Sequence, residues 1–342
     1  MRTVNKSKIL KITGILLSAG LLFYLLQNLL VPKYMEDTRE GALIGEYYKD
    51  KSRHDVIFIG DCEVYENFSP VTLWEEFGIS SFIRGSASQT IWQSYYLLED
   101  TLRYELPCAV VFNVLSMQYD EPVSEAYNRM NIDGMKLSSA KINAARQSMT
   151  EEEHLITYLF PLLRFHSRWS ELTGEDIKYL FQRDTVSYNG YLMQTGRKPV
   201  STIPEGKPLA DYEFSEKCYD YLDRMVNLCR ENGISLILIK APSLYPYWYE
   251  EWDSQIEDYA KKNNVSYYNL LEAAEEAGID YQTDTYDAGL HLNVYGAEKL
   301  SRYFGKILSE EYDIPDRKED SRLSEYFSGL SEKYEAEKKE KK

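Results

Sequence analysis

From Ile12 to Val31 the chain runs for twenty residues, ITGILLSAGLLFYLLQNLLV, without a single charge. As a helix rising about 1.5 Å per residue, the stretch measures roughly 30 Å, the thickness of a bilayer's hydrocarbon core. A helix apolar on every side must be wrapped by protein or by lipid. Arg2, Lys6, Lys8 and Lys11 lie at its N-terminal side, and the first acid is Glu36. The positive-inside tendency therefore predicts a cytoplasmic N-terminus, with everything after Pro32 outside the cell membrane. A cleaved signal peptide competes with this reading, but its apolar region is usually about 7–15 residues and closes on small side chains. This one closes on Leu29-Leu30-Val31-Pro32-Lys33. A single-pass, uncleaved anchor is expected.

The remainder is acidic. The 342 residues hold 39 Lys and Arg against 55 Asp and Glu, a formal charge of −16. Residues 1–12 carry +4 and residues 316–342 are neutral, with eight basic and eight acidic side chains, which leaves −20 on residues 13–315. Such a surface repels phosphates, so a nucleic-acid partner is excluded. An apolar share of 44% with 14% aromatics supplies a folded core. The tail at 316–342 has few large apolar residues and reads as a solvated helix or a disordered segment.

Cys62, Cys108, Cys218 and Cys229 form no CxxC pair and no zinc spacing, so neither a metal nor a cofactor is expected. Cys218 and Cys229 fall on one helical pattern, about 16 Å apart, too far for a disulfide.

Near-continuous apolar runs recur: VIFIG at 56–60, CAVVFNVL at 108–115, ISLILIK at 234–240 and VSYYNLL at 265–271, with a further short strand at 81–83. Helical patterns separate them, at 70–77, 89–104, 214–232, 249–263 and 295–311. Alternation of this kind predicts a doubly wound, mostly parallel α/β sheet with its site at the C-terminal strand ends. The expected division is a basic tail at 1–11, an anchor at 12–31, a linker at 32–53, an α/β domain at 54–315 and the charged tail. Residues 120–212 break the rhythm and read as a helical cap inserted between strands.

Two motifs carry chemistry. The first apolar run exits into Gly60-Asp61-Cys62-Glu63, which places a thiol at the sheet's edge. Far downstream, Asp287-Ala288-Gly289-Leu290-His291-Leu292-Asn293 sets an acid four residues before a His, able to fix the imidazole through one ring nitrogen while the other faces a nucleophile.

These motifs resemble the SGNH, or GDSL-like, hydrolase superfamily. Its first block, GDS, is written here as GDC, and its last block, DxxH, as DxxxH with one residue more. The pattern is similar to that of membrane-anchored members that O-acylate surface polymers, such as the alginate acetyltransferases and the D-alanyl transfer protein of teichoic-acid biosynthesis. The resemblance implies Cys62 as nucleophile, His291 as base and Asp287 as its orienting acid. It further implies an oxyanion hole from the Gly85 backbone N–H and the Asn113 side chain, although the usual wording around the Asn is absent. A Cys in the Ser position is compatible with acyl transfer, since a thiolate is the stronger nucleophile, yet Asp61 and Glu63 beside it disfavour thiolate.

Other residues are weaker candidates for substrate binding. Gln89 lies on a helix with Trp92 and Tyr95, where packing is the favoured role. Arg164, His166 and Arg168 form a cationic, aromatic cluster within the inserted segment and serve equally well as a substrate clamp or an interior tie. His54 reads as a surface residue. Two functions follow: an extracytoplasmic O-acyltransferase or esterase acting on an envelope polysaccharide or teichoic acid, or a degenerate binding module assisting a multi-span membrane O-acyltransferase.

Overall fold

The computed structural model describes residues 6–35, 38–39, 41–182, 185–203 and 205–341. Arg2, in the basic flank, lies outside them. The chain forms two units, Met1–Glu40 with Glu152–Thr185 and Gly41–Glu151 with Val186–Lys342.

In the first unit the apolar run is a continuous helix, Lys6–Leu30, and among the described residues it alone is long and apolar enough to cross a membrane. A two-stranded antiparallel ribbon follows, Lys33–Met35 with Thr38–Arg39. Short helices at Leu155–Leu159, Leu162–Phe165 and Gly174–Phe181 complete the unit.

The second unit is built on five parallel strands, β1 (Val56–Gly60), β2 (Ser81–Gly85), β3 (Ala109–Asn113), β4 (Ser235–Lys240) and β5 (Ser266–Asn269). Their spatial order is β2-β1-β3-β4-β5. Strands β1 to β3 are buried along their whole length, which is why the sequence reads as solid apolar runs rather than alternating ones. From β1 the chain steps outward to β2 and then returns across β1 to β3, so the order reverses between β1 and β3. Crevices open at such reversals, beyond the C-terminal strand ends.

Helices cover both faces. Pro70–Phe77 begins with Ser69 capping the Thr72 N–H and Pro at its first turn, and ends on Gly78 in the left-handed region. It packs with Val294–Glu311 on one face, where Phe304 meets Phe58 and Phe68 edge to ring. On the other face lie Ile91–Thr101 and Glu216–Glu231; the latter buries Cys218, Tyr221, Leu222, Met225, Val226 and Cys229 at three- and four-residue intervals. That helix is unbroken and all four cysteines are free.

Three expectations need correction. The supposed cap at 120–212 is divided: 152–185 belongs with the apolar helix, whereas 120–151 and 186–212 belong to the α/β unit. There Asn189 and Gly190 line the outer edge of β2, Asn189 accepting the Ile83 N–H at 2.9 Å. Gly190 is required at that spot, since a Cβ would lie 2.0 Å from the Ile83 carbonyl oxygen and φ is +86°. The charged tail is a helix, as one of the two alternatives had it, but not a purely solvated one. It forms the helix Ser321–Glu340, which buries Leu323, Phe327 and Tyr334 and stacks Phe327 on Trp74 at 4.3 Å between ring centres. His54 is buried, between Asp50 at 3.2 Å and Glu105 at 3.0 Å.

Candidate functional site

Register aligns the strand exits: Gly60 sits beside Gly85, Asn113 beside Ile239, and Lys240 beside Asn269. The GDC motif, Gly85 and Asn113 therefore converge at one edge of the sheet. Gly60 permits the tight turn that follows, because a Cβ there would come within 2.4 Å of Val64 Cγ2 and 3.0 Å of Asn113 Cβ. The chain then folds into the four-residue helix Cys62–Tyr65, with Asp61 accepting the Glu63 N–H at 3.1 Å. Gly85 is equally confined, as a Cβ on it would approach the Gly60 and Asp61 carbonyl oxygens to 3.0 and 3.3 Å.

Behind the thiol lies a closed network of charge. Glu63 receives both of its carboxylate oxygens' bonds from Lys240 Nζ at 3.0 Å, and Lys240 also donates to the Ala241 carbonyl at 2.7 Å. Both residues are buried. Asn113 donates to Glu63 at 2.9 Å and to Asp61 at 3.2 Å, while its own oxygen accepts the Ala241 N–H at 3.1 Å. Its amide is thus committed to carboxylates and is not a free oxyanion donor, a correction to the sequence reading. Burial outweighs the attraction of Lys240 and pushes the Glu63 carboxyl up to about 7. Burial likewise raises Asp61.

The downstream motif reaches the same edge. Ala288 and Gly289 both take positive φ, and this double left-handed turn returns the backbone so that Asp287 meets His291 twice. Asp287 Oδ1 accepts the His291 N–H at 2.8 Å and Oδ2 lies 2.7 Å from Nδ1. The additional residue in DxxxH is absorbed by that turn. Leu292 enters the core, and Asn293 caps the helix Val294–Glu311 by accepting the N–H groups of Tyr295 and Gly296.

A second carboxylate serves the same imidazole nitrogen. Glu66 Oε2 lies 3.0 Å from His291 Nδ1 and accepts a 2.6 Å bond from the Tyr286 hydroxyl. Desolvation alone would lower the His291 pKa, but the Asp287 hydrogen bond and the Glu66 charge reverse this and raise it. Asp287 is lowered despite its burial, through its bonds to His291. The other ring nitrogen, Nε2, is buried and has no hydrogen-bond partner among the described residues. Cys62 is partly exposed as a residue, yet its thiol is desolvated and pressed by Asp61, Glu66 and Glu63, all of which raise its pKa far above the ordinary thiol value. At neutral pH the group is a thiol, not a thiolate.

Asn67 binds these pieces together. Fully buried, it accepts the Leu292 N–H at 2.8 Å and donates to Ser243 at 3.2 Å, linking the first motif to the β4 exit loop and to the His loop.

The weaker candidates have other partners. Gln89 is buried and engaged by Ser86, Ser94, Asn131 and the Arg84 carbonyl, so its role is packing. Arg164, His166 and Arg168 belong to the first unit. There Arg168 donates to the Leu30 carbonyl at 2.8 Å, His166 bonds the Leu163 carbonyl at 3.1 Å, and Arg164 lies over Phe165. Sequence reasoning missed Lys240, Glu66, Tyr286 and Asn67. A Lys closing a solid apolar strand is a legible anomaly, for such a charge requires a buried partner. A cleft of 780 Å³ along the open edge of β5 holds none of the motif residues. Among the described residues no group of three or more His, Cys, Asp or Glu is arranged to hold a metal ion.

No family model matches the sequence, and no curated protein is similar to it. Among solved structures the chain is similar to a candidate acylhydrolase from Bacteroides fragilis, at 13% identity and a TM-score of 0.37, covering 84% of this chain and 95% of that one. It is also similar to a candidate lipolytic protein of the G-D-S-L family from Desulfitobacterium hafniense, at 15% identity and a TM-score of 0.38, over 74% and 98% of the two chains. A GDSL-like lipase from Bacteroides thetaiotaomicron is similar at 14% identity and a TM-score of 0.35, over 80% and 100%.

Proposed function

We propose that the chain is an acyl-transfer enzyme of the SGNH type, an esterase or O-acyltransferase, anchored by its N-terminal helix and working outside the membrane on an envelope polysaccharide or teichoic acid. The observation that carries this is His291: one ring nitrogen is held by two carboxylates, one of them Glu66 at the end of the helix that Cys62 begins, and the other is buried and without a hydrogen-bond partner among the described residues. A buried, unsatisfied base costs stability and is kept where it has a proton to move.

In this reading the Cys62 thiol attacks the acyl carbonyl while His291 Nε2 removes its proton. The alcohol of the ester departs with that proton, leaving a thioester on Cys62. Water or an acceptor hydroxyl then displaces the thiol by the reverse proton transfer, giving hydrolysis or transfer respectively. The environment of the thiol selects general-base attack over a standing thiolate–imidazolium pair, because its neighbours are anionic. Charge on the tetrahedral oxygen is met by backbone N–H groups, that of Gly85 among them, since Asn113 is occupied.

Two observations favour a second reading. The locked Asn113 amide and the suppressed thiol suit a module that retains a ligand groove, but not turnover, beside a multi-span O-acyltransferase. Intact-mass measurement of the full chain in detergent, after exposure to p-nitrophenyl acetate, separates the two. An acetyl adduct on wild type that is absent in Cys62→Ala and strongly slowed in His291→Ala supports the enzyme. No adduct, or one that survives Cys62→Ala, refutes it.

A further inference from the structure

Segment Glu152–Thr185 joins the N-terminal helix in one unit, and three of its contacts fall on the C-terminal part of that helix. Phe160 packs on Phe23 with ring centres 5.8 Å apart, the Leu162 N–H donates to Gln27 Oε1 at 2.9 Å, and Arg168 caps the last turn through the Leu30 carbonyl. Burial follows the same division. The helix is exposed from Lys6 through Phe23, whereas Leu30 and Val31 are buried.

The helices that make these contacts turn large apolar side chains outward. Ile156, Phe160, Leu163, Trp169, Ile177 and Phe181 are all exposed, Trp169 to 73% and Phe181 to 82%. Water does not suit such a surface. We propose that residues 155–181 form a collar at the membrane interface, which seats these side chains in the lipid leaflet around the exit of the N-terminal helix. The proposal rests on reading that helix as a membrane span.

Depth supports lipid as the occupant. Phe23 precedes Leu30 by seven residues, about 10 Å along a helix axis. A contact at Phe23 therefore places Phe160 about 10 Å inside the span's end, the depth to which amphipathic interfacial helices sink, roughly 5–10 Å. Trp169 suits the headgroup level, where an amphipathic ring meets both phases. Charge gives no net attraction to anionic lipid, because residues 155–181 hold three acidic and three basic residues. Apolar contact with a neutral bilayer is what remains.

Tryptophan reports on this directly. Trp74, Trp92, Trp248 and Trp252 are buried in the α/β unit, and Trp169 is exposed. The full chain is reconstituted in phosphatidylcholine vesicles with and without bromine near the glycerol end of the acyl chains, then washed with alkaline carbonate. The expected result is retention in the vesicle pellet and bromine-dependent loss of emission that disappears in Trp169→Phe. Adding Phe181→Trp to that variant restores the loss. Retention without quenching at either position overturns the collar while leaving the anchor intact, and points to a protein neighbour instead. Release by carbonate overturns the anchor, and the collar with it.

Discussion

Replacing Glu66 with Gln removes a single charge that acts on two titrating groups at once. Its carboxylate lies 3.0 Å from His291 Nδ1 and is also among the three acids that press on the Cys62 thiol. A negative charge stabilises imidazolium and destabilises thiolate, so neutralising it moves both pKa values down. At an effective dielectric of 20, attraction across 3.0 Å is worth about 5 kcal/mol. Part of that returns as relieved desolvation, and a single opposite charge at such range shifts a pKa by about 1–3 units. Asp287→Asn is the control. Asp287 holds the same imidazole but is not one of the three acids weighing on the thiol, so it lowers His291 and moves Cys62 less. Histidine carbon–proton resonances of the full chain in detergent follow the imidazole through a pH titration, and iodoacetamide trapping with mass spectrometry follows the thiol. Each unit by which the thiol pKa falls raises its trapping rate at neutral pH about tenfold. Glu66→Gln leaving both titrations in place, or moving them in opposite directions, would refute the shared-carboxylate reasoning.

Three further outcomes are expected. His54 is raised from its ordinary value to about 9 by Asp50 and Glu105, against its own burial. That contribution is fully present below pH 6.5 and is lost as pH rises through 9, so the urea midpoint falls across this window by roughly 3 kcal/mol of stability; a flat midpoint, or an equal fall in His54→Gln, counts against it. Lys240→Met strands Glu63 as a buried acid and costs about 3–5 kcal/mol, whereas Lys240→Met with Glu63→Leu recovers most of it in the same assay. Phe327→Ala removes the stack on Trp74 and costs about 3–5 kcal/mol; a loss under 1 kcal/mol by urea unfolding would show that the C-terminal helix is peripheral after all.

Much of the sheet was legible because its strands are covered on both sides. Runs such as VIFIG and ISLILIK need no partner to be recognised, and the helix Pro70–Phe77 announces itself through Ser69, Pro70 and Gly78. Asp287 and His291 were legible too, being four residues apart in the chain and in contact in space. What local pattern does not encode is distance in sequence. Lys240 meets Glu63 across 177 residues and Tyr286 meets Glu66 across 220. The charged tail misled for a related reason. Its composition is that of a solvated segment, and only the Trp74 face explains the placing of Leu323 and Phe327, as Tyr188 and Tyr191 explain that of Tyr334. Asn113 was placed at the right strand exit, but what it bonds there depends on Asp61 and Glu63, which its own neighbours in sequence do not reveal.

Asn67 joins stretches of chain that leave the ribosome far apart in time, for the backbone it holds at Leu292 comes 225 residues later. Ser69, two positions on, waits longer still for Tyr334. Cys62 is therefore made early and His291 late. When β1 to β3 have been made, His291, the base of the proposed reaction, is still to come. On the proposed reaction, chemistry would then require nearly the whole polypeptide to be present and docked.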